Sequence, residues 1–471
     1  MFSIPTFLFF FLSQAFYRTP KMHDIPLGIW RDILLRLPAE SLFRLRAVSK
    51  SWKTIIDDPC FVKAHNKNQL SSNTLLLRNS IGPPFYPLYY FDLQGLNFTN
   101  GPKTIPATPL NLSRHGLSLV AALPMPACNG LMLLSPLDHE KNRGREDINR
   151  DSKGIWEIWN PLTRERLRLP QPNIHSRVLG YGIGYDCDAD DYKVVVIDII
   201  DYLYDDDDQE SLMQTHVYSL KSDSWRIMIE EEIPFEFWTL HCLQGVFLNG
   251  ALHWISGTTD YMIIGFDIGT EKYSFQLKLP DNLPQLRGER LKLDAFGECL
   301  FLSCKYKVSY EYGEPHQLGA WVMNDYGAEG SWIHLFSINV NTYYIRLVAY
   351  LKNKKQVLLQ YYYGFVWFDV ESCNSMKIVG VHGLFHDFKL CAHHFIGSLV
   401  RLHDRCESVA DKRRMRESKG KMKMKMKMEM VDNELTLCVR DYGDDYYNMV
   451  FRIHHTTIVI VGQAKGAIRC E

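Results

Sequence analysis

The sequence predicts an α+β multidomain chain in which a small N-terminal helical head is followed by a large all-β body of propeller type. Two patterns carry that prediction. Apolar residues recur with helical period only between about 22 and 68. From about 74 to 402, short β-rich runs repeat as a four-strand unit, with corresponding third strands near 159, 218, 266, 321 and 367. Spacings of roughly 45–60 residues are the scale of propeller blades, which cannot bury both faces alone and therefore stack in a ring. The aromatic content of 13% agrees, because aromatic side chains suit strands.

The chain has 471 residues and a formal net charge of −1, so no overall field draws it to nucleic acid or to anionic lipid, and neither is expected as a partner. Eleven cysteines, an odd number with no CxxC pair, argue against a disulfide framework or a zinc module and for a reducing compartment, the cytoplasm or the nucleus. The first residues hold an apolar run, Phe7 to Leu12, with no positive charge before it and too short to span a bilayer. Residues 1–21 are read as a start-site artefact or leader ahead of Met22, with a weak signal sequence and a peripheral anchor as the alternatives.

The head, residues 22–68, opens at Ile25-Pro26, where proline suits a first helical turn. Ile29, Ile33 and Leu37 recur at i, i+4 and i+8, joined by Trp30 and Leu34, while Arg31, Asp32 and Arg36 take the other side. Pro38 stops this helix. A second apolar set, Leu42, Leu45, Val48, Trp52 and Ile55-Ile56, repeats the period, and Asp58-Pro59 starts a last helix with Phe61, Val62 and His65. So few residues bury little surface alone, and their apolar content exceeds what one small bundle needs. Either the head caps the next domain, or its surface is completed by another protein.

The run Ile25-Pro26-x-x-Ile29-x-x-x-Ile33-Leu34-x-x-Leu37-Pro38-x-x-x-Leu42, followed by Val48-Ser49-Lys50-x-Trp52-x-x-x-Ile56, resembles the F-box motif. The resemblance implies docking on a Skp1-type adaptor and, through it, membership of a cullin–RING ubiquitin ligase. It carries the adaptor contacts onto Pro26, Ile29, Ile33, Leu34, Leu37, Pro38 and Leu42, and leaves Val48 and Trp52 to hold the helices together. Gly28 departs from the family, which usually has an acidic residue there; glycine weakens a helical turn by up to about 1 kcal/mol.

Five copies of the four-strand unit are legible in the body, 74–402, and a sixth is expected. They comprise 131–135, 155–160 and 165–170; then 181–186, 192–199, 215–220 and 225–229; then 246–248, 251–255, 262–267 and 273–280. The fourth holds 298–304, 320–324 and 331–337, and the fifth 346–350, 356–361, 365–370 and 376–379. After third strands, Asn160, Asp267 and Asp369 each stand three residues before a hydroxyl residue, an arrangement in which the side chain accepts local N–H bonds and nucleates a turn. The body resembles the F-box-associated interaction domain of plant F-box proteins, of types 1 and 3, which is kelch-like in architecture. The resemblance rests on Cys128-Asn129-Gly130-Leu131, Trp159-Asn160-Pro161-x-Thr163, Gly182-x-Gly184-Tyr185-Asp186 with Asp191-Tyr192-Lys193-Val194, Ser224-Trp225-Arg226, and Leu248-Asn249-Gly250-x-Leu252-His253-Trp254. It implies recruitment of a target protein, whose identity the sequence does not give.

Three insertions, 137–154, 201–214 and 305–318, each fall between the second and third strand of a unit, which places them on one rim, where loops on a rigid scaffold carry recognition. Candidate target contacts there are the acidic run Asp205, Asp206, Asp207 and Asp208 and the aromatic set Tyr306, Tyr310, Tyr312 and His316. The acidic loop is either a solvated loop or a docking site for a basic segment; it lacks the ligand spacing of a calcium loop. Residues 403–433, with Lys and Met alternating from Lys421 to Met428, read as a basic low-complexity linker, and 434–471 as an extension of unknown structure holding a β-rich run, 456–461.

No catalytic constellation is legible. His393-His394 and His454-His455 are adjacent pairs without metalloprotease spacing, Gly182-x-Gly184 lies in a strand, and no GxSxG elbow occurs. The expectation is a non-catalytic substrate receptor of an SCF-type ligase, without cofactor or metal. The alternatives are an adaptor-independent kelch-like scaffold and, last, a propeller enzyme.

Overall fold

The computed structural model of the chain describes residues 27–68, strands within 74–110, the segments 127–135, 155–174, 177–201, 211–229, 244–257, 261–284, 290–307, 316–328, 330–340, 345–351, 355–361, 364–372, 377–379, 381–382 and 390–402, and strands within 427–463. Two compact units divide the chain, 1–406 and 407–471. Residues 1–26, with the expected leader, lie outside the described residues.

Five four-stranded antiparallel sheets follow one another along the chain, each a meander of contiguous strands. The first comprises Ala127–Cys128, Leu131–Leu134, Glu157–Trp159 and Arg166–Arg168; the second Arg177–Asp186, Asp191–Asp201, Ser211–Ser219 and Ser224–Ile229. The third runs from Val246–Leu248 through Ala251–Ser256 and Met262–Asp267 to Lys272–Lys278. The fourth holds Arg290–Phe296, Cys299–Lys307, His316–Met323 and Trp332–Val340, and the fifth Ile345–Leu351, Gln356–Tyr361, Gly364–Asp369 and Lys377–Val379. These are the five expected units. Two first strands, 127–128 and 290–296, are additional: the former is two residues long, and in the latter Lys292 and Asp294 break the apolar run.

The expected sixth sheet is built from both ends of the body. Leu390–Phe395 pairs with Thr74–Asn79, which continues to Leu88–Asp92 and Thr108–Leu110. The closing pairing runs in register from Thr74 opposite Phe395 to Asn79 opposite Leu390. Closure in this way covers sheet edges that would otherwise pair with other chains.

Position within a blade decides burial. The second strand of the third sheet, Ala251–Ser256, is buried at every residue, because both its faces meet neighbouring sheets. The outer strand of the fourth, Trp332–Val340, is buried only at Phe336 and Val340. Glycine permits one close approach between blades: a Cβ at Gly182 would lie 2.7 Å from the Leu252 side chain, and one at Gly184 2.6 Å from that of Ile268. That requirement explains the Gly182-x-Gly184 pair within its strand. Outer strands are stitched by tryptophan: Trp225 Nε1 donates to the Pro170 carbonyl (2.7 Å) and Trp332 Nε1 to the Lys278 carbonyl (2.9 Å), each reaching the preceding blade. Between the second and third blades, the buried Lys193 ammonium lies 2.9 Å from Asp186 Oδ2, 2.9 Å from Glu271 Oε1 and 2.9 Å from the Ile268 carbonyl.

The turns behave as their chemistry dictates. Asn160 Oδ1 accepts from the Leu162 and Thr163 amides (3.0 and 3.2 Å), Asp267 Oδ1 from Thr270 N (2.6 Å), and Asp369 Oδ1 from Glu371 N and Ser372 N (3.1 and 2.8 Å). Asn160 does more than nucleate a turn. Fully buried, it donates from Nδ2 to the carbonyls of Ser398 (3.0 Å) and Val400 (2.7 Å), in the segment that follows the ring-closing strand.

Two of the three insertions are shorter than the sequence suggests. Asp201 and Ser211 already face each other in a ladder, as do Lys307 and His316, so the links reduce to 202–210 and 308–315. Alternation of polar and apolar residues at the ends of these hairpins hides strand extensions in what reads as loop. In the unit 407–471, strands Lys427–Val431, Glu434–Arg440, Tyr446–His454 and Thr457–Gln463 form one antiparallel meander. The expected linker therefore gives up its last residues to a strand, because Lys427–Val431 alternates with the period of two that a strand requires.

Two predictions follow from this packing. Asn160→Ala leaves two buried carbonyls without their donor and removes the turn acceptor, so the chain loses roughly 2–4 kcal/mol, read as a lowered denaturation midpoint in urea at unchanged m-value. His253, buried in the third blade, bonds through Nδ1 to the Val246 carbonyl (3.0 Å) and through Nε2 to Tyr326 Oη (2.6 Å). Burial holds its pKa down at about 4, against a weaker opposing contribution from the carbonyl. Because the unfolded chain takes up a proton that the folded chain refuses, this stabilisation is complete above about pH 6.5 and about 3 kcal/mol of it is lost as the pH falls towards 4. Urea unfolding of the wild type and His253→Gln across that window should show the wild type alone carrying this component of the slope.

Candidate functional site

The head consists of four helices: α1, Leu27–Leu35; α2, Ala39–Leu45; α3, Lys50–Ile56; and α4, Pro59–Asn68. The last two starts have a local cause. Ser49 Oγ accepts from Ser51 N (3.2 Å) to begin α3, and Asp58 Oδ1 accepts from Phe61 N (2.9 Å) to begin α4, with Pro59 at the first helical position. Four short helices hold together through specific ties. His65 Nε2 donates to the Leu37 carbonyl (2.8 Å), fastening α4 to the end of α1, and burial lowers the His65 pKa, which favours this neutral form. Arg46 forms an ion pair with Asp57, its Nη2 donating to Oδ2 (3.0 Å) and its Nε lying 2.6 Å from Oδ1, and Trp30 meets Trp52 with ring centroids 5.5 Å apart.

The expected adaptor contacts divide into two groups. Ile29 and Ile33 stand 51% and 38% exposed on α1, Pro38 is exposed ahead of α2, and Leu37 is half-buried. Leu34 and Leu42 are buried, 1% and 0% exposed, and support the others from beneath together with Trp52, Ile56 and Phe61. Pro26 lies outside the described residues. One expectation is corrected: Val48 does not hold the helices together. It sits in the turn between α2 and α3, 65% exposed, because the helical run breaks at 46–49 where a continued period was expected.

The head shares one hydrophobic core with the body. Leu34, Leu42, Trp52 and Phe61 cluster with Leu131, Trp156 and Tyr181 of the first two blades and with Leu399, Val400 and Leu402. Residues 396–402 form a strap between them. A Cβ at Gly130, whose φ of +77° suits the Asn129-Gly130 hairpin turn, would overlap the Ile396 carbonyl oxygen. A Cβ at Gly397 would lie 3.0 Å from that of Ala39 in α2. Glu165 takes the strap's far end, accepting from Leu402 N (2.7 Å) and Arg401 Nε (3.3 Å).

Antiparallel meanders fix which end of the propeller the head occupies. Turns from first to second strand all lie at one end of the ring, and links from second to third strand at the other. Lys63 of α4 pairs with Asp190 in a first-to-second turn (3.2 Å), so the head sits at that end. The strands flanking 136–154, 202–210 and 308–315 therefore run away from the head before those links begin. Of the candidate target residues, Tyr306 and His316 lie in strands, with Tyr306 Oη donating to Gln317 Oε1 (2.9 Å). Tyr310, Tyr312 and Asp205 to Asp208 lie outside the described residues.

Between the head and the ring lies a cavity of about 680 Å³, to which α4 and all six sheets contribute. No spacing in the sequence signals it, since its lining residues come from separate strands. Among the described residues no group of three His, Cys, Asp or Glu could hold a metal ion, and no helix is long and apolar enough to cross a membrane.

Comparison with known proteins agrees with the two parts. Residues 22–64 match the F-box domain, and residues 91–402 match the F-box associated beta propeller domain. The chain is 29% identical over 383 residues to F-box protein CPR1 of Arabidopsis thaliana, covering 74% of this chain and 83% of that protein. It is 26% identical over 412 residues to F-box protein At4g22390 of the same plant, covering 80% and 90%. F-box/kelch-repeat protein At3g23880 of that plant is 24% identical over 361 residues, covering 73% and 86%. With its helical head matched by one family model and most of its ring by the other, the chain belongs to the F-box proteins that carry an F-box associated β-propeller domain.

Proposed function

We propose that this chain is the non-catalytic substrate-recognition subunit of an SCF-type ubiquitin ligase. Its head docks on a Skp1-type adaptor, and through it on a cullin–RING ligase, while the far rim of the propeller holds a target protein. One observation carries the reading: of the five exposed large hydrophobics among the described residues, Ile29, Ile33 and Val48 belong to the short head, whose own core is already filled by Leu34, Leu42, Trp52, Ile56 and Phe61. An apolar surface left over after a domain has packed marks a protein interface. Family membership supports the choice of adaptor.

Mechanism then reduces to placement. The head and the strand ends at Asp201, Ser211, Lys307 and His316 stand at opposite ends of one ring, and the strap and the shared core fix the head against it. A target on the far rim is held at a set distance from the adaptor, and tethering raises its effective concentration at the ligase, so a modest target affinity suffices. The free thiols of Cys60, Cys128, Cys187, Cys299 and Cys304 suit a cytoplasmic or nuclear setting.

Replacing both Ile29 and Ile33 by Asp buries unpaired charge in the adaptor interface and should weaken binding to a purified Skp1-type adaptor at least about a hundredfold, with the melting temperature nearly unchanged because both side chains are exposed in the free chain. Undiminished binding refutes the head assignment. Exchanging 202–210 and 308–315 for the corresponding links of a relative should change the set of proteins recovered with the chain while its melting temperature holds. Collapse of folding on exchange would instead assign those links to the fold.

A further inference from the structure

We propose that the cavity between α4 and the propeller axis is a binding site for a small organic anion, one that bears a carboxylate or phosphate group. Its volume, about 680 Å³, falls within the roughly 300–1,000 Å³ typical of small-molecule sites.

Charge selects the ligand class. Four cations line the cavity, Lys63, Lys67, Lys292 and Arg346, against two carboxylates, Asp294 and Glu298. Two of the cations are occupied. Lys63 pairs with Asp190, and Lys292 lies 2.7 and 2.6 Å from the two oxygens of Asp294. Arg346 is different. Its Nε donates to Gln360 Oε1 (2.9 Å) and its Nη2 to the Ala392 carbonyl, so neutral partners hold the guanidinium in place without cancelling its charge. An arginine oriented by neutral acceptors is a preorganised anion contact, because no ion pair has to break before a ligand binds. Lys67, exposed at the end of α4, adds a second cation on the opposite wall.

Asn66 of α4 also lines the cavity. Half-buried Val246 and Phe247 supply apolar wall for the body of the molecule. Because α4 contributes Lys63, Asn66 and Lys67 and the ring contributes Arg346, an occupant touches head and propeller at once.

The test uses the purified full chain and a thiol inside the site. Cys187 is exposed and lines the cavity, whereas Cys60 is exposed at the start of α4 and does not line it. Alkylation by neutral iodoacetamide is followed at both cysteines by mass spectrometry, with citrate or inorganic phosphate added at constant ionic strength and glycerol as an uncharged control. Citrate or phosphate should slow Cys187 at least about threefold while Cys60 and the glycerol sample stay unchanged. Lys67→Gln should raise the half-protecting anion concentration about tenfold, the loss expected for one charge-assisted contact, with the melting temperature unaltered. The proposal is overturned if neither anion separates Cys187 from Cys60, if glycerol protects as well as the anions, or if protection is unchanged in both Lys67→Gln and Arg346→Gln.

Discussion

Closure of the ring by its own two ends is the constraint on which the rest of this molecule depends. Strand 390–395 pairs with strand 74–79 across more than three hundred intervening residues, and the strap that follows, 396–402, then enters the core of the helical head. One stretch of chain therefore both seals the propeller and seats the head. Asn160 ties this stretch to the first blade through two donated bonds, and Glu165 fixes its end. Loss of the closing strand would expose the edge of strand 74–79 and withdraw Leu399, Val400 and Leu402 from the head's core together.

From that seat the division of labour follows geometrically. A meander sends alternate strand ends to opposite ends of the ring, so the Lys63–Asp190 contact at a first-to-second turn leaves the strand ends at Asp201, Ser211, Lys307 and His316 at the far end. The head keeps Leu34 and Leu42 for its own stability and leaves Ile29, Ile33 and Val48 uncovered. The ring thus carries an apolar helical surface at one end and the ends of its second strands at the other.

How much of this was legible in the sequence depended on how local each signal is. Five blades were readable because each is contiguous and carries its own turn chemistry, as at Asn160, Asp267 and Asp369, where side-chain acceptors stand three residues before a hydroxyl. The composition of the sixth blade was not readable, because its strands pair across the whole body. In the head, helical period identified which residues are apolar but not how deep each lies, so Val48, expected to hold the helices together, is exposed, while Leu34 is buried. Strand ends at 201, 211, 307 and 316 were concealed by polar residues that a hairpin beyond the core tolerates. The cavity left no trace, since Asn66, Lys67 and Arg346 meet only after the head has docked.

Hydrogen exchange of the full chain, followed by mass spectrometry, tests the closure most directly. If the two ends of the body seal the ring and seat the head, amides of 74–79 and 390–395 exchange as slowly as those of the buried strand 251–256, and the strap 396–402 is protected with them. Exchange of 390–402 at the rate of unstructured chain, with the five contiguous blades still protected, would contradict the account: the propeller would then be open, and nothing would fix the head upon it.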